Sequence, residues 1–292
     1  LGRIYSEYQW ARNSDGYHNL SIVGAEKGWD LQSGLHLFVG GELSSLSGTP
    51  TESRQMSLAS GISYNFRGLF RFSSRNEIRR ETGTTERNQV LTINKAETTL
   101  NRSFTLLGTY RFSKTENRTT GFDENGFEEA SVGLAWRPID NDRFNALARL
   151  TRLTSEQPEE AGSQTLNETS LETAAIEWSL QFNRMIEWVE KEALRWKEEK
   201  DSTGSFPSRS WLSIHRINLL LGTDIDLGLE YRKLTEDATD SQRQGWLSEF
   251  GWRPKKHFRL GVGYNFTDFS DDERSLNDYS VEGWFIRAQG MY

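Results

Sequence analysis

The chain has 292 residues, no cysteine, a net charge of −7 and a mean hydropathy of −0.70. The missing cysteines exclude disulfides, Cys-ligated zinc and thiol catalysis. The acidic balance argues against a nucleic-acid partner, which would want a basic face. Yet aromatic residues reach 12% with ten Trp, whereas disordered chains of such polarity are poor in aromatics.

No apolar run approaches the roughly 18 residues of a transmembrane helix. The densest, Ile217 to Leu221, is interrupted by Asn218. A transmembrane β-barrel remains open, because it needs apolar residues only at alternate positions of segments about ten residues long. At about 150 residues per domain the length suggests two domains, but a single barrel of this size is common. The start at Leu1, without Met, is what a mature product or an excised domain would show.

Taken in chain order, the hydrophobic period is two rather than 3.6. In Leu35–Leu43 one face is Leu35, Leu37, Val39 and Leu43, and the other carries His36, Gly40 and Glu42. Phe70–Ile78 sets Arg71, Ser73, Arg75, Glu77 and Arg79 on its polar face. Phe104–Phe112 puts Phe104, Leu106, Tyr110 and Phe112 opposite Thr105, Leu107, Thr109 and Arg111. The alternation recurs at Val132–Trp136, Ala174–Phe182, Leu227–Tyr231, Ser248–Trp252 and Phe258–Phe266, and a last strand is expected at Tyr279–Tyr292. Short turn-like links such as Ser33-Gly34, Asn65–Gly68 and Gly222–Asp224 alternate with longer polar ones such as Asn13–His18, Asn117–Gly126 and Lys200–Ser208. Seven short and eight long links make fifteen connections, hence sixteen strands. An even count puts both termini on the short-turn side, the periplasmic side of outer-membrane barrels.

Ile186–Trp196 is ambiguous. As a helix it carries Ile186, Val189, Ala193 and Trp196 as a stripe. As a strand it places Glu190 and Glu192 beside Ile186, Trp188, Leu194 and Trp196 on the lipid side, which is costly near the midplane. The hairpin count requires the strand, and the two glutamates would then face a partner, a bound ligand or thinned lipid.

The expected fold is therefore all-β, an antiparallel up-and-down transmembrane barrel of about sixteen strands, with short periplasmic turns and longer extracellular loops, forming one domain over residues 1–292. A soluble sandwich is the rival, but it would carry continuous Val and Ile, and the chain has 7 Val and 12 Ile. Aromatics at strand ends, namely Tyr64, Trp136, Trp252, Phe258, Trp284 and the terminal Tyr292, suit an interface girdle. Pro138 and Pro254 sit at strand ends, where a missing ladder donor is tolerated.

The C-terminal strand with its final aromatic resembles the signal that barrel-assembly machinery recognises. Leu260–Asp272, Gly283–Phe285 and Leu134–Phe144 resemble the C-terminal barrel of large, repeat-containing bacterial outer-membrane proteins. The resemblance covers the second half of the chain well and the first half only in rhythm. It implies a bacterial outer-membrane location and a barrel that can be one part of a longer polypeptide, and it supplies no catalytic residues to carry over.

For chemistry the sequence offers little. The four His, at 18, 36, 215 and 257, lie at no metal-ligand spacing. His18 is placed in a loop, and His36 and His257 beside short turns. His215 falls on an apolar face with Ile217 and Leu219, and no Ser or Asp stands out as its partner. A barrel hydrolase is thus a remote alternative, and no enzyme, cofactor or metal is expected. The candidate pore-lining set is Arg71, Arg75, Glu77, Arg79, Arg111, Arg149, Glu177, Glu230, Arg232, Glu249, Arg259 and Arg287. Arginine outnumbers glutamate there, so a positively biased lumen favouring anions competes with a plain salt-bridge lattice. The acidic loops, for instance Asp271 to Glu273, either hold cations that bridge lipopolysaccharide or are simply solvated. Expected partners are outer-membrane lipid and lipopolysaccharide, the assembly machinery and other envelope proteins. The expected function is an anchor or conduit for a larger envelope assembly, with a porin-like channel as alternative.

Overall fold

The computed structural model describes residues 2–13, 16–48, 52–83, 85–141, 143–159, 165–238, 241–255, 258–266 and 283–290, and for 11–13 and 16–18 the backbone alone. Sixteen strands follow one another: β1 (Gly2–Asn13), β2 (Gly16–Gln32), β3 (Leu35–Gly48), β4 (Ser53–Phe66), β5 (Phe70–Gly83), β6 (Arg87–Thr99), β7 (Phe104–Asn117), β8 (Phe122–Trp136), β9 (Phe144–Pro158), β10 (Leu166–Gln181), β11 (Ile186–Asp201), β12 (Gly204–Leu221), β13 (Ile225–Glu236), β14 (Ser241–Lys255), β15 (Phe258–Asn265) and β16 (Gly283–Gly290). Each pairs antiparallel with the next, in unbroken sequence order. This is the up-and-down meander of a β-barrel. Among the described residues β1 and β16 are not paired, so the sheet has two free edges.

The turns follow from their first residue. Asn65 Oδ1 accepts the Gly68 N–H at 3.1 Å. Asn101 Oδ1 accepts from Ser103 and Phe104 at 2.8 and 3.0 Å, and Asn183 Oδ1 from Met185 and Ile186 at 2.7 and 2.9 Å. Asp201 Oδ1 does the same at the opposite end, for Thr203 and Gly204 at 2.7 and 3.0 Å. An Asx side chain satisfying its own turn pins each hairpin register. At Ser33-Gly34 the turn needs φ +81° at Gly34, a conformation L residues avoid.

The strands reach 18 residues in β12, while about ten span a bilayer. Two segments read as longer links are consequently mostly ladder. Asn117 pairs with Phe122, and Asp201 pairs with Gly204 across a two-residue turn. His18, expected in a loop, lies in β2 opposite Ala11 and Gly48. The ambiguous segment is strand, as the hairpin count required: Ile186 begins β11, paired on both sides. Tyr279–Tyr292 shrinks to Gly283–Gly290 within the described residues, and Tyr292, His257 and the acidic stretch 267–282 lie outside them.

The packing inverts that of a soluble protein. The buried apolar residues Ala59, Ala193, Leu212, Ile214 and Leu247 all sit on the face that also carries the charges. The opposite face exposes Leu43, Leu58, Ile78, Leu150, Trp211 and Ile286, each more than half accessible. At roughly 25 cal/mol per Å² of apolar surface, a face like this is unstable in water.

Candidate functional site

Cross-strand partners share a face, so the register assigns every side chain from β1 to β16. All twelve candidate pore-lining residues fall on one face: Arg71, Arg75, Glu77 and Arg79 on β5, Arg111 on β7, Arg149 on β9, Glu177 on β10, Glu230 and Arg232 on β13, Glu249 on β14, Arg259 on β15 and Arg287 on β16. Tyr64, Trp136, Trp252, Phe258 and Trp284 fall on the other.

The charged face is divided into clusters. The densest spans β12 to β16 around Glu249, whose side chain is 0% exposed. Glu249 accepts from Arg259 Nη1 at 2.7 Å, from Arg216 Nη2 at 3.2 Å and from Arg287 Nη1 at 3.2 Å. Arg259 also grips Asp226 through Nε and Nη2, at 3.1 and 2.5 Å. Arg253 reaches Asp226 at 3.4 Å. Arg216 closes the lattice on Glu230 at 3.1 Å, and Glu230 also accepts from Arg232 Nε. Glycines make room for it. A Cβ on Gly261 would lie 2.5 Å from Glu249 Oε1, and one on Gly251 would collide with both Arg259 and Asp226. A second cluster holds Glu77, 5% exposed, between Arg75 at 3.2 Å and Arg79 at 2.5 Å on the same strand. Arg111 pairs with Glu129, and Arg71 reaches Glu97 at 3.5 Å. Glu177 stands exposed beside a hollow it shares with Arg137 and Asn145.

Arg216 and Asp226 were missed by the sequence reading. Arg216 was detectable, since Ile217 and Leu219 fix the alternation of β12 and leave residue 216 on the charged face. Asp226 was not, because it lies in the run Thr223–Asp226, which reads as turn. With Arg216, Asp226, Glu97 and Glu129 added, the eight Arg and four Glu of the candidate set become nine Arg and seven carboxylates on that face. The expected positive bias is correspondingly reduced.

The apolar face has its own order. Aromatics at the short-turn end form a row across five strands: Phe104–Trp136 at 5.8 Å, Trp136–Phe144 at 5.0 Å, Phe144–Trp178 at 6.1 Å and Trp178–Trp188 at 5.0 Å between ring centroids. Tyr231 and Trp246, 4.9 Å apart, belong to the long-link side.

Glu190 and Glu192 lie on this apolar face, as the strand reading of β11 required. Glu190 is directly opposite His215 in β12, and its Oε1 is 2.8 Å from His215 Nδ1. Ser213 Oγ lies 3.0 Å from His215 Nε2 and 2.5 Å from Glu192 Oε1, and the Trp211 indole donates to Glu192 Oε2 at 2.6 Å. Glu190, Glu192 and His215 each bring one ligand atom within 4.8 Å of the others. The sequence alone showed no such spacing, because these residues meet only through the β11–β12 register.

No known family profile matches the chain, and no curated protein matches it. Among solved structures it is similar to the copper transporter OprC, with 8% identity and a TM-score of 0.47 over 98% of this chain and 68% of that one. It is similar to the siderophore receptor PirA from Pseudomonas aeruginosa, with 9% identity and a TM-score of 0.40 over 99% and 79%. The β domain of the Bordetella autotransporter BrkA aligns with 15% identity and a TM-score of 0.22 over 85% and 94%. At these identities and TM-scores none of them transfers a function to the chain.

Proposed function

We propose that the chain is a bacterial outer-membrane β-barrel, closed between β1 and β16, that anchors a larger cell-envelope assembly or serves as its conduit. The observation that carries this reading is the largely apolar, aromatic-bearing outer face of a sixteen-strand meander whose other face is charged. That pattern is the one lipid outside and a polar interior demand. The anchor is preferred to a selective channel because of the lattice around Glu249. Its carboxylates are buried and each is answered by arginines, so across five strands these charges bind strand to strand instead of facing a permeating ion. Lipopolysaccharide and other envelope proteins are the partners of this reading, with both termini periplasmic.

A porin-like channel is the second reading. It is favoured by Arg71 and Arg75, 59% and 51% exposed on the charged face. Single-channel recording in planar bilayers separates the two. The anchor predicts no stable conductance from the reconstituted chain. A large, steady, anion-biased conductance would overturn it, and changing Arg71, Arg75 and Arg79 to Glu would then reverse the ion preference.

A further inference from the structure

The cluster on the apolar face is unexplained by an anchor. Carboxylates and a histidine on a lipid-facing surface are costly, and a structural role would be met more cheaply by apolar side chains. The arrangement has a chemical logic of its own. A nucleophile within hydrogen-bond reach of a base, and the base oriented by a third group, is the geometry of an activated hydroxyl. Ser213 Oγ and His215 Nε2 are 3.0 Å apart. His215 Nδ1 and Glu190 Oε1 are 2.8 Å apart. A carboxylate accepts from Nδ1–H, which fixes the tautomer and leaves the Nε2 lone pair facing the serine. The parts are rigidly placed: Ser213 and His215 are two residues apart on one strand, and Glu190 is the direct cross-strand partner of His215.

Two further features define a substrate. Ser213 is two residues from Trp211, and His215 lies directly opposite Tyr231, ring centroids 6.3 Å apart. The Tyr231–Trp246 pair of the long-link side therefore stands level with the triad, and aromatics of such a belt sit at the depth of the lipid headgroups. Beside Ser213 the apolar face forms a hollow of about 650 Å³ lined by Leu106, Val132, Leu150, Ile176, Leu194 and Trp211, with Glu192 also in its wall. Its wall is mostly apolar, and Glu192 and Trp211, hydrogen-bonded to each other beside the buried Ser213, join it to the triad.

We propose that Ser213, His215 and Glu190 form a serine-esterase triad on the outer face of the barrel, acting on the acyl ester of a membrane lipid. The substrate class rests on the membrane-barrel reading above; the triad rests on its own distances. Ser213 Oγ attacks the ester carbonyl carbon while its proton passes to His215 Nε2. The bond from that carbon to the alcohol oxygen breaks, and His215 returns the proton to the departing alkoxide. Water then attacks the acyl-serine, giving its proton to His215. The fatty acid leaves as Ser213 Oγ recovers that proton. The net reaction is ester plus water to acid plus alcohol. Glu190 accepts from His215 Nδ1–H and orients the imidazolium. Glu192 competes with His215 for the Ser213 proton in the resting site, and the Trp211 N–H, now on Glu192, is a side-chain donor for the developing oxyanion.

The test uses the full chain refolded in detergent micelles, with its folding scored by heat-modifiable migration on a gel. Hexadecyl fluorophosphonate should label Ser213, identified by peptide mass. Phosphatidylcholine added to the same micelles should release fatty acid. Ser213→Ala abolishes both. His215→Ala lowers both at least 100-fold and Glu190→Gln at least 10-fold, with migration unchanged, as expected for a general base and its orienting group. A folded chain unlabelled at Ser213, or labelled equally fast in His215→Ala, overturns the triad. Labelling without fatty-acid release overturns the lipid substrate. A chain that labels but shows no heat-modifiable form leaves the triad standing and overturns the membrane reading.

Discussion

Replacing Glu249 by Ala removes the one carboxylate that three guanidiniums share. Its side chain is 0% exposed, and those of Arg259 and Arg216 are 10% and 17% exposed. Asp226 still answers Arg259 and Glu230 still answers Arg216, while Arg287, 48% exposed, can take water. The loss is therefore a lattice left one negative charge short and a buried void, rather than a bare ion. Breaking a buried pair by deleting one partner costs about 3–5 kcal/mol. The remaining carboxylates put Glu249→Ala near the lower end, about 3 kcal/mol, or roughly a hundredfold in the folding equilibrium at 1.4 kcal/mol per tenfold. Urea unfolding in lipid vesicles, followed by tryptophan fluorescence, measures it. Arg287→Ala, at the exposed rim, should cost less than about 1 kcal/mol in the same assay. A Glu249→Ala loss no larger than that of Arg287→Ala would refute the lattice as a staple of β12 to β16.

Three other outcomes follow from the same geometry. Gly251→Ala forces its Cβ into Arg259 and Asp226 and should cost about 1–3 kcal/mol by overpacking, measured by the same unfolding curves. Val132→Lys, on the apolar face, should cost about 2–4 kcal/mol, against less than about 1 kcal/mol for Ser131→Lys on the charged face; equal costs would reject the facing. Asp201, at the β11–β12 turn outside the spanning segment, is held below the usual aspartate range, chiefly by the Thr203 hydroxyl and then by backbone N–H groups. A depressed carboxyl contributes stability above its unfolded value, about 3.9, and loses it as pH falls through the lower folded value. Amide exchange at Thr203 and Gly204 should therefore be protected at neutral pH and lose protection only in that acidic window, and Asp201→Asn should flatten the dependence.

Much of this was legible from period-two alternation alone. Once Phe70, Phe72 and Ile78 alternate with Arg71, Ser73, Arg75, Glu77 and Arg79, the faces of β5 are decided, and pairing carries the assignment around the sheet. Turn residues such as Asn65 and Asn183 marked the hairpins. Two kinds of information were out of reach. Strand ends were one, because ladders continue into polar segments once they leave lipid, so Lys200–Ser208 reads as a loop although only Ser202 and Thr203 turn. Register was the other. Glu190 and His215 are 25 positions apart in sequence, and only the length of that same turn sets them opposite each other. The site on the apolar face, like the Arg216–Glu230 and Arg259–Asp226 pairs, exists only through register.

The central claim is that one face of the sheet lies against lipid and the other does not. The chain contains no cysteine, so single cysteines can be placed at residues 130 to 135 of β8, each carrying a nitroxide, in the chain reconstituted into vesicles. Collision with oxygen, which partitions into lipid, is compared with collision with a polar nickel chelate. The account predicts a period of two, with oxygen favoured at Ala130, Val132 and Leu134 and oxygen disfavoured at Ser131, Gly133 and Ala135. Equal accessibility along the strand, or the reverse alternation, would contradict it.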